Sequence, residues 1–437
     1  MSNIADSPED HEAMLLHGIR YAVEPHESVQ GFIEISGGRL TRILHHRVPS
    51  FTTVSSGIDI NLNGFLVMPG LINAHDHLQF ALYPKLGNPP YRNYIEWGED
   101  IHATLAEVIA KHKSVPRDLR LWWGGIRNLL CGVTTVCHHD PLWPELQRND
   151  FPVRVVQQYG WAHSPMLGGD LRKAHSSTPD RRAFIVHACE GVDDLARQEI
   201  FELDRRGVLD RSTVLVHGLA LDEAGVALMR ERQASLIVCP SSNQFLFGRM
   251  PDMELLGTIQ NVAMGTDSPL TAAGDLLEEI RFAIESCGIA PDQAYRMTTK
   301  TPGTILRLED GAGVIGISGP ADLIAVRDTG EDAVERLRTL SMTDIEFVVI
   351  RGHVQLASEA VWKLLPLQVK RGLEPLWIEG SVRWLCAPVR ELLRKTEAVL
   401  GFGEVRLGGR LIRRPDSITD VTTTNSNELF IRCDRRN

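Results

Sequence analysis

Between Gly64 and about Leu308 the chain alternates short apolar runs with helix-like segments, a pattern that belongs to parallel βα units. Parallel strands cannot be joined by tight turns. Each needs a crossover, and eight such units closing on themselves make a (β/α)8 barrel. Seven strands are visible: GFLVMPGLINA (64–74), VTTVC (133–137), VRVVQQY (153–159), AFIVHA (183–188), TVLVHG (213–218), SLIVCP (235–240) and NVAMGTD (261–267). The helices between them carry start and stop signals, as in DDLARQEIFELDRRG (193–207), with an Asp opening and a Gly close, and LDEAGVALMRERQ (221–233). Between Tyr159 and Ala183 the Gly, Pro and Ser content reads as loop. Either one barrel strand is too irregular to see there, or the barrel is incomplete.

Outside the repeat, residues 13–66 read as strands separated by turns, and GVIGISGPADLIAVRD and IEFVVIRGHVQLAS return to the same pattern. The expected fold is therefore α/β: a (β/α)8-type barrel over 64–310, distorted or short of one regular strand, with a small β-sandwich built from both chain ends. Residues 1–63 supply its first part and 311–415 its second, with a helix over 387–401, and 416–437 form a polar tail. A chain of 437 residues, 43% apolar and 23% charged, has ample material for such a core and the balance of a soluble protein. Its net charge of -10, with arginines scattered, argues against a nucleic-acid surface. The N-terminus lacks a secretory pattern, and no run of about 18 apolar residues exists to cross a membrane. Seven widely spaced cysteines without a CxxC pair read as buried thiols of a cytoplasmic protein.

The apolar strands share one peculiarity at their ends. His75 and His77 stand two apart where the first strand finishes, so they share a face while Asp76 looks the other way. His187 ends AFIVHA, His217 ends TVLVHG, and Asp267 ends NVAMGTD. Barrel enzymes place their chemistry at this end of the strands. One strand-end histidine is more often a structural residue. Several groups of ligand or base type at four strand ends are not explained that way, because each costs about 1–3 kcal/mol if buried without a partner. A shared cation with its water removes most of that cost.

The pieces PGLINAHDH, GVTTV, HACE, VLVHG, VCPSSN and GTDSP, with the closing GVIGISGPADLIAV, stand in one order over residues 64–327. In this the chain resembles the amidohydrolase superfamily, and within it the cytosine deaminase-like and chlorohydrolase-like branch. The resemblance implies one divalent metal ion held by His75, His77, His187 and Asp267. Imidazole and carboxylate donors suit Zn²⁺ or Fe²⁺, with zinc favoured. No Lys ends a strand between GVTTV and HACE, which argues against a binuclear centre built on a carboxylated lysine.

By the same resemblance Asp267 takes a proton from the metal-activated water, and His217 orients the attacking oxygen or polarises the substrate. For His217 a purely positioning role stays open. Glu190, three residues after His187, is the expected proton shuttle, the group that protonates a ring nitrogen before attack at an amino-substituted carbon. The implied reaction is hydrolytic deamination of an aminated nitrogen heterocycle. One alternative is hydrolysis of a cyclic amide or another C–N or C–Cl bond on a heterocycle, and another is a non-catalytic barrel scaffold. Expected pocket residues are Gln79, Trp97, His138 or His139, Asn243, Arg249 and Ser268, with Tyr91 and Tyr94 in a candidate lid over 87–102. The expected partner is a small molecule, with neither nucleic acid nor membrane, and the resemblance implies a homodimer.

Overall fold

The computed structural model describes residues 13–45, 57–272, 274–308 and 310–415. The tail read over 416–437 lies outside these residues. Eight short parallel strands surround the central core: β1 (Leu71–Asp76), β2 (Val133–His138), β3 (Arg154–Val155), β4 (Gly160–Ala162), β5 (Phe184–Ala188), β6 (Thr213–His217), β7 (Ser235–Val238) and β8 (Val262–Met264). They form two ladders, β1-β2-β3 and β4-β5-β6-β7-β8. An isolated parallel bridge between Asp76 and Asp267 joins the ladders at one seam, and no ladder joins β3 to β4. The barrel is therefore open on one side.

The strand hidden in the sequence is β4. It has three residues, and its first, Gly160, lies where an added Cβ would come within 1.8 Å of the Thr178 hydroxyl. A Gly forced by close packing removes one apolar position from a strand that has few. The run at 153–159 likewise supplies only Arg154 and Val155 to a ladder. The run at 64–74 divides. Phe65–Pro69 pairs antiparallel with Leu323–Arg327, and the barrel strand begins only at Leu71. Gly70 makes the step, with the Thr134 side chain 2.2 Å from where its Cβ would lie.

Strands from both chain ends join in one twelve-stranded sheet, in which Ala13–Glu24, Glu27–Ser36 and Arg39–His45 lie beyond Phe65–Pro69, and Ile345–Ile350 and His353–Ser358 lie on the other side. Its own core includes Leu16, Ile33, Val67, Leu323 and Phe347. Inside the barrel, Ile72, Ala74, Cys137, Ile185, Val214, Val216, Ile237 and Ala263 form the floor beneath the strand ends. The alternate residues Leu71, Val136, Phe184, Val186, Leu215, Leu236 and Met264 pack outward against helices. The helices of the chain include α1 (Tyr94–Thr104), α2 (Ala106–Lys113), α3 (Arg117–Leu130), α4 (Asp194–Arg205), α5 (Pro240–Phe247) and α6 (Leu276–Cys287), of which α3, α4 and α6 share the core of the outward strand residues. The Asp193 carboxylate caps α4 by accepting from Ala196 N at 3.0 Å, as the Asp opening predicts. A further helix spans Val389–Leu400, within the segment expected to be helical. Among the described residues the six cysteines are free, and no helix is long and apolar enough to cross a membrane.

Candidate active site

Strand alternation and its breaks set the site. On β5 the inward parity of Ile185 carries on to His187. On β8, Ala263 is inward, and the same parity leads through Gly265 to Asp267. Gly265 closes the seam. A Cβ there would stand 2.6 Å from the Cβ of His75. On β1 the pairing register shifts between Asn73 and Asp76, so Asp76 turns to α3 and the histidines on either side of it turn inward. His217 follows Val216, already an inward residue, and its backbone adopts φ +75° instead of continuing the strand. Asp267 also sits at positive φ, +54°. Such conformations cost about 1–3 kcal/mol and persist where surrounding structure holds them.

The side chains converge. His75 Nε2 and His187 Nε2 are 3.1 Å apart, and His77 Nε2 is 3.4 Å from His187 Nε2. Asp267 Oδ1 lies 3.6 Å from His77 Nε2 and 3.8 Å from His75 Nε2. His75, His187, His217 and Asp267 offer ligand atoms all within 4.8 Å of one another, and His77 closes on the same point from the side. Donors bonded at about 2.0–2.1 Å to one tetrahedral ion stand about 3.3 Å apart, so the spacing suits a single cation. Protonation suits it too. Burial drives His75 down to about 3 against the pull of Asp267. Burial and the neighbouring imidazoles hold His187 well below the usual range. Burial thus favours the neutral, lone-pair-bearing form of these two rings, whereas at His77 burial is outweighed by the Asp140 carboxylate, which raises the pKa.

Each ring is oriented by a bond on its far side. His77 Nδ1 meets Asp140 Oδ2 at 3.0 Å, His187 Nδ1 donates to the His163 carbonyl at 2.9 Å, and His217 Nδ1 meets Asn243 Oδ1 at 3.1 Å. Asp267 Oδ2 accepts from the Ser242 and Thr271 hydroxyls, both at 2.9 Å, which aims Oδ1 at the imidazoles. Burial alone would raise the Asp267 pKa, but the His75 bond and the positive potential of the histidines hold it far below the carboxylate range. Glu190 is the opposite case. Burial, with Asp267 and Glu199 nearby, pushes its carboxyl well above the ordinary value, and its Oε1 lies 3.6 Å from His217 Nε2.

Beneath the cluster a polar network faces α3. Arg127 Nη2 donates to Asp76 Oδ2 at 2.6 Å and to the Thr266 hydroxyl at 3.1 Å, and Asn128 Nδ2 donates to the same Asp76 oxygen at 2.7 Å. Asn73 Nδ2 reaches Asn128 Oδ1 and Thr266 Oγ1 at 3.0 and 2.8 Å. The network links β1, α3 and the turn carrying Asp267, so it fixes the two arms of the cluster against each other.

Above the cluster lies a cavity of about 840 Å³, within the range of about 300–1,000 Å³ usual for small-molecule sites. His77, His187, Glu190, His217 and Asp267 form its inner end, and Phe80, Tyr83, Leu86, Trp97, Ile101 and Leu270 line much of the rest.

Several expected pocket residues lie elsewhere than the sequence suggests. Gln79, Tyr94, Trp97 and Ser268 line the cavity. Trp97 Nε1 donates to the Leu86 carbonyl at 2.9 Å, and the Tyr94 hydroxyl donates to Glu199 Oε1 at 2.7 Å. His138 is buried away from the cavity, its Nδ1 accepting from Leu78 N at 3.3 Å. His139 stacks on His187 with centroids 4.2 Å apart. Asn243 supports His217 instead of lining the cavity, Arg249 is exposed outside it, and Tyr91 donates its hydroxyl to Asp100. The sequence reading missed Asp140, His163, Ser242, Thr271 and Arg127. Asp140 is the last letter of CHHD and His163 lies in the loop after β4, so only the first carried a local signal.

A model of the amidohydrolase family matches residues 177–354. Over that stretch the chain is similar to the amidohydrolase family. Among the proteins this chain is similar to, the 5-methylthioadenosine/S-adenosylhomocysteine deaminase of Natronomonas pharaonis is 28% identical over 389 residues, covering 74% of this chain and 88% of the relative. An imidazolonepropionase of Klebsiella pneumoniae is 26% identical over 68% of this chain and 87% of its own. Two solved structures share the fold. The atrazine chlorohydrolase of Arthrobacter aurescens TC1, complexed with zinc, has a TM-score of 0.63 at 16% identity, over 88% of this chain and 99% of that one. An adenosine deaminase of Xanthomonas campestris with bound zinc has a TM-score of 0.61 at 18% identity, over 88% and 97%.

Proposed function

We propose that this protein is a zinc-dependent hydrolase that removes ammonia from an aminated nitrogen heterocycle. His75, His77, His187 and Asp267 would hold the metal, with His217 beside them, and a divalent cation bound there would lower the pKa of a water toward neutrality. The residues of the chain do the rest. Glu190, whose pKa burial raises well above the ordinary carboxyl value, gives its proton to the ring nitrogen, which makes the adjacent amino-bearing carbon accept the water oxygen. Asp267, ionised and aimed by Ser242 and Thr271, takes the water's proton and passes it to the amino group. The C–N bond breaks, ammonia leaves, and the hydroxyl proton returns to Glu190 as the ring carbonyl forms. His217, held by Asn243 with its Nε2 toward Glu190, positions the adding oxygen.

One observation carries this reading: a buried carboxyl whose pKa burial raises and a buried carboxylate whose pKa the neighbouring histidines lower line the same cavity as three convergent imidazoles. Two carboxyl groups whose environments push their pKa values apart suit one to give a proton and the other to take one. Deaminase relatives such as that of Natronomonas pharaonis support the same reaction class. The test is ammonia release from the zinc-loaded protein against a panel of aminated purines, pyrimidines, pterins and triazines. Turnover of at least one ring, with loss of its exocyclic nitrogen, is the expected result. Hydrolysis of cyclic amides or chlorinated rings with no ammonia from any aminated ring would contradict it.

A further inference from the structure

The outer half of the cavity contains a charge that its walls do not balance. Arg120, on the first turn of α3, lines the cavity beside Tyr83 and Ile109, with Lys113 from the end of α2 nearby in the same lining. Its Nε donates to the Val115 carbonyl at 3.0 Å and its Nη1 to the Gln79 carbonyl at 3.4 Å. Both acceptors are neutral. Among the described residues Arg120 makes no ion pair, and the charged group that acts on it besides the Tyr83 phenol is another cation, Arg117. A guanidinium has five donors, so the two backbone bonds lock its plane and leave three N–H groups for something else.

Burying part of a cation without a counter-charge is costly, and the cost is visible: burial lowers the Arg120 pKa below the usual guanidinium value. Charged side chains in such a position are ordinarily matched by an acid from a neighbouring element. Here the acid of the outer half is Glu99, which is exposed and does not pair with Arg120. The other cavity carboxyls, Glu190 and Asp267, belong to the inner end, and Asp140 is engaged by His77 and Gln79. The same lining carries the apolar side chains of Phe80, Tyr83, Leu86, Ile101 and Leu270.

We propose that Arg120 anchors an anionic group, a carboxylate or a phosphate, carried by the substrate on an apolar arm away from its reacting ring. The inference rests on the proposed reaction for where the ring lies, and it adds the substrate class: an aminated heterocycle with an acidic appendage. The oriented guanidinium meets either anion through two parallel N–H bonds, and the apolar lining covers the arm. A bare heterocycle would leave the outer half of the cavity, and this cation, unused.

The test uses the zinc-loaded full chain and ligands that lack an amino ring, so that its outcome is independent of deamination. Binding of 4-phenylbutyrate is compared with that of 4-phenylbutanamide, and 4-phenylbutyl phosphate with 4-phenylbutanol, by calorimetry. The expected result is that at least one anion binds tenfold or more tightly than its neutral twin, and the pair that shows the preference distinguishes carboxylate from phosphate. In Arg120→Gln the preference falls below about threefold, and in Arg120→Lys it is intermediate, since charge survives but the planar fork does not. Equal binding within both pairs overturns the proposal. So does a preference that survives in Arg120→Gln, which would place the anion on the metal. If Arg120→Gln does not fold, the wild-type preference and its reduction in Arg120→Lys decide. Failure of ammonia release with this preference intact would remove the proposed reaction and leave the anion anchor standing.

Discussion

His77 Nδ1 and Asp140 Oδ2 lie 3.0 Å apart, on residues 63 positions distant in the sequence. The contact fixes which nitrogen of His77 faces the cluster. Burial would raise the Asp140 pKa, and the His77 bond reverses this and holds it at about 2. Asp140→Asn keeps the shape and removes the charge. Zinc affinity, measured by competition with a chromophoric chelator, is expected to fall by about 10–100-fold, the usual loss when a carboxylate behind a ligating histidine is removed. An unchanged affinity would take Asp140 out of the metal site's support.

Glu190→Gln separates proton transfer from metal binding. The amide cannot donate a labile acid proton to the ring, so turnover is expected to fall by about 10²–10⁴-fold with zinc content unaltered. Steady-state ammonia release and metal analysis on the same preparation check it. Turnover within a factor of a few of wild type would remove Glu190 from the reaction.

Arg127 and Asp76 form a pair buried to within 2% of full exclusion on both sides. Arg127→Met leaves the Asp76 carboxylate with only amide donors, Asn128 and Asn73. Breaking one side of a buried pair costs about 3–5 kcal/mol, and chemical denaturation monitored by intrinsic fluorescence reads the loss. A loss under about 1 kcal/mol would show that the asparagines suffice.

Glu279 gives stability a pH dependence of definite sign. It is fully buried, accepts from Ser241 N at 2.8 Å and from the Ser241 hydroxyl, and burial raises its pKa to about 7 against both bonds. The folded state therefore binds a proton that the unfolded chain has released above about pH 4.5. This contribution favours folding least at high pH and grows as pH falls from above 7 to below about 4.5, by an amount on the order of 3 kcal/mol. Glu279→Gln has no such proton to bind. Melting curves from pH 5 to pH 8 are expected to show a weaker decline for the variant, and parallel curves would contradict the assignment.

What could be read in the sequence divides along physical lines. β5, β6 and β7 were legible because each is an apolar run of ordinary length bounded by polar residues, and His187 and His217 could be placed because they end such runs. β4 was not, since three residues including a packing-forced Gly carry no periodicity. The division of 64–74 at Gly70 was hidden because both halves are apolar and buried, one in the terminal sheet and one in the barrel. His75 and His77 shared a face as spacing requires, and their inward orientation depends on a register shift that no pattern announces. Supporting residues were least visible of all. Asp140, Arg127, Ser242 and Thr271 act through partners tens of positions away or more, or through a turn, and their types are common on any surface. Arg249 illustrates the converse, a residue of suggestive type whose loop carries it to solvent.

The proposed chemistry depends on His75, His77, His187 and Asp267 sharing one cation. Elemental analysis of the purified protein, repeated after chelation and zinc titration, tests it most directly. About one zinc per chain is predicted, lost in His187→Ala and retained in His138→Ala, whose ring lies outside the cluster. A protein that takes up no divalent metal under saturating zinc, or takes it up equally in both variants, would contradict the account.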